Sequence, residues 1–100
     1  MNIAIIGGGA AGAYAAIWSA RSGNDVTVFE QNGYIGQKLR ITGKGRCNLT
    51  NNCTVDEFME HIPEGGKFLY SSLTRHTPWN VMTFFESIGV PLKTERGRRV

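Results

Sequence analysis

Three glycines, Gly7, Gly9 and Gly12, and one carboxylate, Glu30, are the residues of this chain whose types and spacing carry chemistry. The glycines form a G-x-G-x-x-G pattern, in which bare backbone meets an anion. Gly7 allows a tight turn out of a strand, Gly9 lets backbone approach a pyrophosphate, and Gly12 lets a helix pack close to a sheet. Ala10, Ala11 and Gly12 open that helix, where unpaired N–H groups and a partial charge of about +0.5 favour a diphosphate. Glu30 lies eighteen residues beyond Gly12, near the separation at which an acidic side chain accepts hydrogen bonds from an adenosine ribose. Its charge repels a 2′-phosphate, and Gln31 stands beside it. A P-loop shares the Gly7 and Gly12 spacing, but Ala13 and Tyr14 occupy the places where it needs Lys and Ser or Thr.

These residues need a strand, a helix and a second strand to position them. Ile3-Ala4-Ile5-Ile6 reads as the first strand. Ala16 and Ala20 follow Gly12 at intervals of four, so one helix face carries only small side chains and can lie close to a sheet. Ser22-Gly23-Asn24 stops the helix, with Gly23 suited to a left-handed C-terminal position. Val26, Val28 and Phe29 then predict a buried parallel strand. The expected fold class is α/β, a Rossmann-like βαβ dinucleotide-binding unit over residues 2–30.

The 100 residues allow one small domain but are short for a complete doubly wound dinucleotide fold, so the N-terminal part of a larger domain is expected. The net charge of +3 is concentrated at Lys38, Arg40, Lys44 and Arg46 and at Lys93, Arg96, Arg98 and Arg99. Neither cluster sits on a basic helix or an aromatic-interleaved strand, which points away from nucleic acid. No apolar run approaches the roughly 20 residues of a membrane span. The first strand starts too near Met1 for a leader peptide, so a cytoplasmic protein is expected. Cys47 and Cys53 have no paired His ligands, so no metal site is expected; their spacing also departs by one residue from a C-x-x-x-x-C redox pair. His61 and His76, each beside a helix end, are read as surface or capping residues.

Residues 33–52 form a glycine-rich basic loop, with Gly33, Gly36, Gly43 and Gly45 in a polar stretch of little periodicity. Within it, Gly36-Gln37-Lys38-Leu39-Arg40-Ile41-Thr42-Gly43-Lys44-Gly45-Arg46-Cys47-Asn48-Leu49-Thr50-Asn51 resembles the second signature of a bacterial flavoprotein family. That family is the HI0933-like or aminoacetone-oxidase-like group of NAD(P)/FAD-dependent oxidoreductases, whose pattern runs G-x-K-x-x-x-[ST]-G-x-G-R-C-N-x-T-N. The stretch Phe84-Phe85-Glu86-Ser87-Ile88-Gly89-Val90-Pro91-Leu92-Lys93-Thr94-Glu95 is similar to the family as well. The resemblance implies an FAD-dependent oxidoreductase acting on a small-molecule substrate, with NAD(P)H as a candidate electron donor. It implies that Gly7, Gly9 and Gly12 hold the FAD pyrophosphate and Glu30 the ribose. Lys38, Gly45, Arg46, Cys47, Asn48 and Thr50 would then line the cofactor toward the flavin. Lys44 departs from the glycine frequent at its position.

The remainder, 54–89, reads as helical. Thr54-Val55-Asp56-Glu57 is a capping box opening a helix to about Ile62. Pro63-Glu64-Gly65-Gly66 breaks the chain before a second helix from Lys67 to Arg75, with Phe68, Leu69, Ser72 and Leu73 on one side. Thr77-Pro78 caps a third, whose Val81, Phe84, Phe85 and Ile88 recur at core spacing up to Gly89. Residues 90–95 predict a strand, and 96–99 a tight basic turn into another. No acid–base or nucleophile constellation stands out, so the catalytic residues are unassigned. Two other readings stay open at this point: an NAD-binding dehydrogenase domain and a non-catalytic fragment of the flavoprotein.

Overall fold

The computed structural model describes residues 1–100, which form two compact units, Met1–Cys47 and Asn48–Val100. No helix is long and apolar enough to cross a membrane.

In the first unit, β1 (Asn2–Ile6) and β2 (Asp25–Phe29) pair in parallel, with Ile3 opposite Val26 and Ile5 opposite Val28. The crossover is helix α1 (Ala10–Arg21). Parallel neighbours require such a crossover because a two-residue hairpin cannot join them. α1 ends as expected, with the Gly23 N–H donating to the Ala20 carbonyl and the Asn24 N–H to the Ser19 carbonyl. Gly23 sits at φ +87°, where a Cβ would crowd the following carbonyl.

The sheet is not buried as its composition predicts. Ile3, Ile5, Val26 and Val28 are half-buried, while the alternate residues are exposed, Ile6 at 83 % and Phe29 at 55 %. A strand pair with a helix on one face conceals only every second side chain. The helix face also differs by one residue. Gly12, Ala16 and Ser19 are half-buried, whereas Ala20 falls outside that stripe and is exposed.

The basic loop holds more local structure than its lack of periodicity predicts. Helix α2 (Gln37–Ile41) starts at Gly36, and one tight turn covers Gly43–Gly45. Three consecutive residues there, Gly43, Lys44 and Gly45, have φ of +81°, +48° and +82°.

The second unit packs α3 (Val55–Glu60), α4 (Gly66–Arg75) and α5 (Pro78–Ser87), with Cys53, Pro78, Phe84 and Val100 buried. Thr54 and Glu57 close the expected capping box. Thr77 closes a second one with Asn80, whose side chain accepts from the Thr77 N–H at 2.8 Å. The core reading of the α5 aromatics holds at Phe84, which meets Phe85 edge-on at 5.0 Å, but Ile88 and Phe68 are exposed. His61 and His76 each cap a helix C-terminus.

The strand predicted over 90–95 does not form. The Val90 N–H is taken by the Phe85 carbonyl as part of the α5 terminus, Pro91 has no N–H, and no neighbouring strand offers a ladder. The basic turn does form, at Arg96–Arg98 around a left-handed Gly97. Beyond it the chain returns antiparallel to 49–52, with the Leu49 N–H donating to the Val100 carbonyl at 2.7 Å and the Val100 N–H to the Thr50 carbonyl at 2.9 Å.

Candidate functional site

The site is built where β1 runs out. The Gly7 N–H still continues the ladder, donating to the Phe29 carbonyl at 2.8 Å, and then φ of +99° at Gly7 turns the chain away from the sheet. Gly12 returns so close that a Cβ there would overlap the Gly7 carbonyl oxygen and touch Ile5 Cγ2 at 3.4 Å. Gly9 is different. A Cβ on it would meet no protein atom within 4 Å, and its φ of −79° suits any residue. Protein packing therefore does not require glycine at position 9; a ligand lying against that backbone would.

Gly9 is also the N-cap of α1, and no side chain caps the N–H groups that follow it. Twelve residues are enough for a helix to present a positive end, and the first turn carries no acidic residue to compete for it.

Glu30, one residue past β2, is held by backbone. Its Oε1 accepts from the Gly8 N–H at 2.8 Å and its Oε2 from the Asn32 N–H at 2.6 Å. The Asn32 N–H, followed by that of Gly8, holds the carboxyl below its usual value of 4.5, because both bonds favour the charged form. Gln31 is exposed and adds its backbone N–H as a minor contribution. The carboxylate is thus anionic, fixed in direction and beside the fingerprint turn.

Gly8 is the residue that sequence reasoning overlooks. Besides its bond to Glu30, its carbonyl accepts from the Gly36 N–H at 2.7 Å, and it is buried. The signal was present in the unbroken Gly7-Gly8-Gly9 run, of which the fingerprint needs two members only.

The remaining predicted residues are less concentrated. Lys38 is exposed on α2, Gly45 closes the left-handed turn, and Arg46 and Cys47 follow it, with Arg46 in extended backbone. Asn48 and Thr50 belong to the second unit. The Arg40 guanidinium lies over the Tyr34 ring at 4.1 Å, which fixes that part of the loop's charge against an aromatic face. Both thiols are free, Cys47 exposed and Cys53 buried.

A βαβ unit with a left-handed turn after β1, an uncapped helix start and an anchored carboxylate after β2 defines a nucleotide-binding Rossmann protein. The chain belongs to the HI0933-like family: the pattern of the HI0933-like protein Rossmann domain matches residues 1–100. It is 43% identical over 98 residues to a 3-dehydro-bile acid delta(4,6)-reductase of Clostridium scindens, covering 96% of this chain and 24% of that one. It is 37% identical over 87 residues to a ribosomal RNA dihydrouridine synthase of Haemophilus influenzae, covering 86% and 21%. The enzyme of the same name from Escherichia coli is 30% identical over 86 residues, covering 86% and 21%. The chain therefore spans about a quarter or less of the length of these relatives.

Proposed function

We propose that this chain supplies the ADP-binding part of an FAD-dependent oxidoreductase that reduces a carbon–carbon double bond conjugated to a carbonyl. The observation that supports it most is the empty space around Gly9, at an uncapped helix start beside the anchored Glu30. Backbone at Gly9 and the N–H groups of Ala10, Ala11 and Gly12 would receive the pyrophosphate, and the Glu30 carboxylate the adenosine ribose hydroxyls. Lys38, Gly45, Arg46, Cys47, Asn48 and Thr50 are the family-motif positions assigned to the side running toward the flavin. The bound flavin supplies two-electron transfer, while the protein's part is to bind, orient and exclude water.

The substrate class rests on the relatives' names. The Δ4 and Δ6 double bonds of a 3-oxo steroid are conjugated with the ketone, and dihydrouridine is uridine whose ring double bond, conjugated to a carbonyl, has been saturated. Each double bond saturated takes one hydride equivalent and one proton across an activated alkene. A reduced pyridine nucleotide is the proposed source of the two electrons, and the cytoplasm the proposed location. An NAD-binding dehydrogenase is the competing reading, since Glu30 suits either ribose.

The test is to purify the protein with its cofactor and assay a 3-oxo-4-ene steroid and a uridine-containing ribosomal RNA fragment. A yellow protein that consumes one of them at the expense of NADH or NADPH supports the reading. A colourless protein that takes up no FAD on reconstitution overturns it. Two of the relatives named above carry ribosomal RNA in their names, and the loop's cations are exposed. RNA is therefore kept as a partner to test, although the charge pattern alone points away from it. RNA binding that weakens steeply with salt would show phosphate contacts.

A further inference from the structure

We propose that Gly8 is a positioning residue that locks the ribose-binding carboxylate and the basic loop into one geometry. The proposal deepens the FAD reading given above and rests on it for its ligand half. Two backbone groups of this one residue face two different segments: its N–H holds Glu30 Oε1 at 2.8 Å, and its carbonyl takes the Gly36 N–H at 2.7 Å. Gly36, left-handed at φ +71°, is the N-cap of α2, the helix that carries Lys38. The chain of dependence runs from the fingerprint turn to the carboxylate on one side and to the Lys38 helix on the other.

The requirement for glycine here is one of space. Gly8 is not among the residues with positive φ, so alanine could adopt its backbone. A Cβ, however, would lie 2.7 Å from Ile35 Cγ2, 3.2 Å from Ile35 Cβ and 3.3 Å from Glu30 Cβ. Any side chain at position 8 thus pushes against the two residues whose placement makes the lock: Glu30 itself and the neighbour of Gly36. Ile35 is 57 % exposed, so its burial contributes little, and its side chain serves to fill the space over Gly8.

The experiment compares Gly8→Ala, Ile35→Ala and the double variant with the native chain, by amide hydrogen exchange without ligand and by affinity for ADP and 2′-deoxy-ADP. Gly8→Ala is expected to speed exchange at residues 8 and 36 by about tenfold, the loss of roughly one hydrogen bond each, while the Ile5 and Thr27 ladder amides stay protected. It is also expected to remove most of the preference for ADP over 2′-deoxy-ADP. Ile35→Ala in the same chain removes the 2.7 Å approach and leaves two that small shifts absorb, so both effects should largely reverse. Unchanged exchange at Gly36 in Gly8→Ala, or no reversal in the double variant, overturns the lock. A native chain that binds ADP no better than 2′-deoxy-ADP overturns instead the assignment of Glu30 to the ribose, and the exchange result then judges the lock separately.

Discussion

Gly9 and Gly12 are the same residue type three positions apart, yet they are glycine for different reasons, and substitution can separate them. At Gly12 a Cβ collides with the Gly7 carbonyl, so Gly12→Ala should destabilise the first unit by about 3 kcal/mol, read as a lowered denaturant midpoint. At Gly9 the same Cβ meets nothing, so a larger residue should leave stability nearly unchanged and act on ligand only. Lys44 makes the opposite case. It takes a left-handed conformation, φ +48° and ψ +49°, between two glycines that do so freely. Relief of that strain, offset by the greater freedom of unfolded glycine, should make Lys44→Gly more stable by about 0.5–1 kcal/mol in chemical denaturation. Glu30 and Glu57 carry the acid sensitivity. The Asn32 and Gly8 N–H groups lower the first, while the Arg98 guanidinium and then Thr54 lower the second. A lowered folded value means that the stabilisation is complete above the unfolded value of 4.5 and is lost as pH falls through the folded one. The thermal midpoint should therefore be level from neutrality to about pH 5 and fall below it. Glu30→Gln should flatten the first unit's share of that decline. At this scale the sequence was readable where backbone geometry follows from residue type and spacing, as for the turn at Gly7 and the close packing at Gly12. At Gly8 the extra glycine of the Gly7-Gly8-Gly9 run was visible but its reason was not, because its neighbours Ile35 and Gly36 arrive from a loop whose path the residue pattern does not encode.

Elements with their own start and stop signals formed where the sequence placed them. Thr54, Thr77, Gly23 and Gly89 each mark a helix end with a local bond, which needs no distant partner. Thr77→Ala removes an acceptor from the Asn80 N–H and should cost about 1 kcal/mol, visible as lost helical circular dichroism at a lower temperature. Elements that depend on a neighbour did not follow their local pattern. Residues 90–95 alternate well enough for a strand, but a strand needs a ladder, and what pairs instead is 98–100 with 49–52. Helix α2 was missed for the converse reason. Its five residues are too few to show a period, and a left-handed Gly36 starts it in place of a capping side chain.

At the scale of the molecule, a large part of the apolar surface is uncovered. The chain exposes 7783 Å², whereas two separate globules of half its 11.0 kDa mass would expose roughly 6,800 Å² in total. The outer sheet face with Ile6 and Phe29 contributes to the excess, and parallel sheets are ordinarily covered on both faces. The 100-residue chain should therefore bind a dye for apolar surface such as anilinonaphthalene sulfonate. Phe29→Lys should reduce that signal without loss of the β1–β2 pairing, because more than half of the Phe29 side chain is exposed on the outer face and the pairing is made by backbone.

The most direct measurement is titration of FAD into this chain and into its Gly9→Val variant, followed by flavin fluorescence and visible absorbance. Saturable binding by the native chain that falls at least tenfold in the variant, with unfolding midpoints alike, is the predicted result. No binding by the native chain, or equal binding by both, would contradict a pyrophosphate lying against the Gly9 backbone.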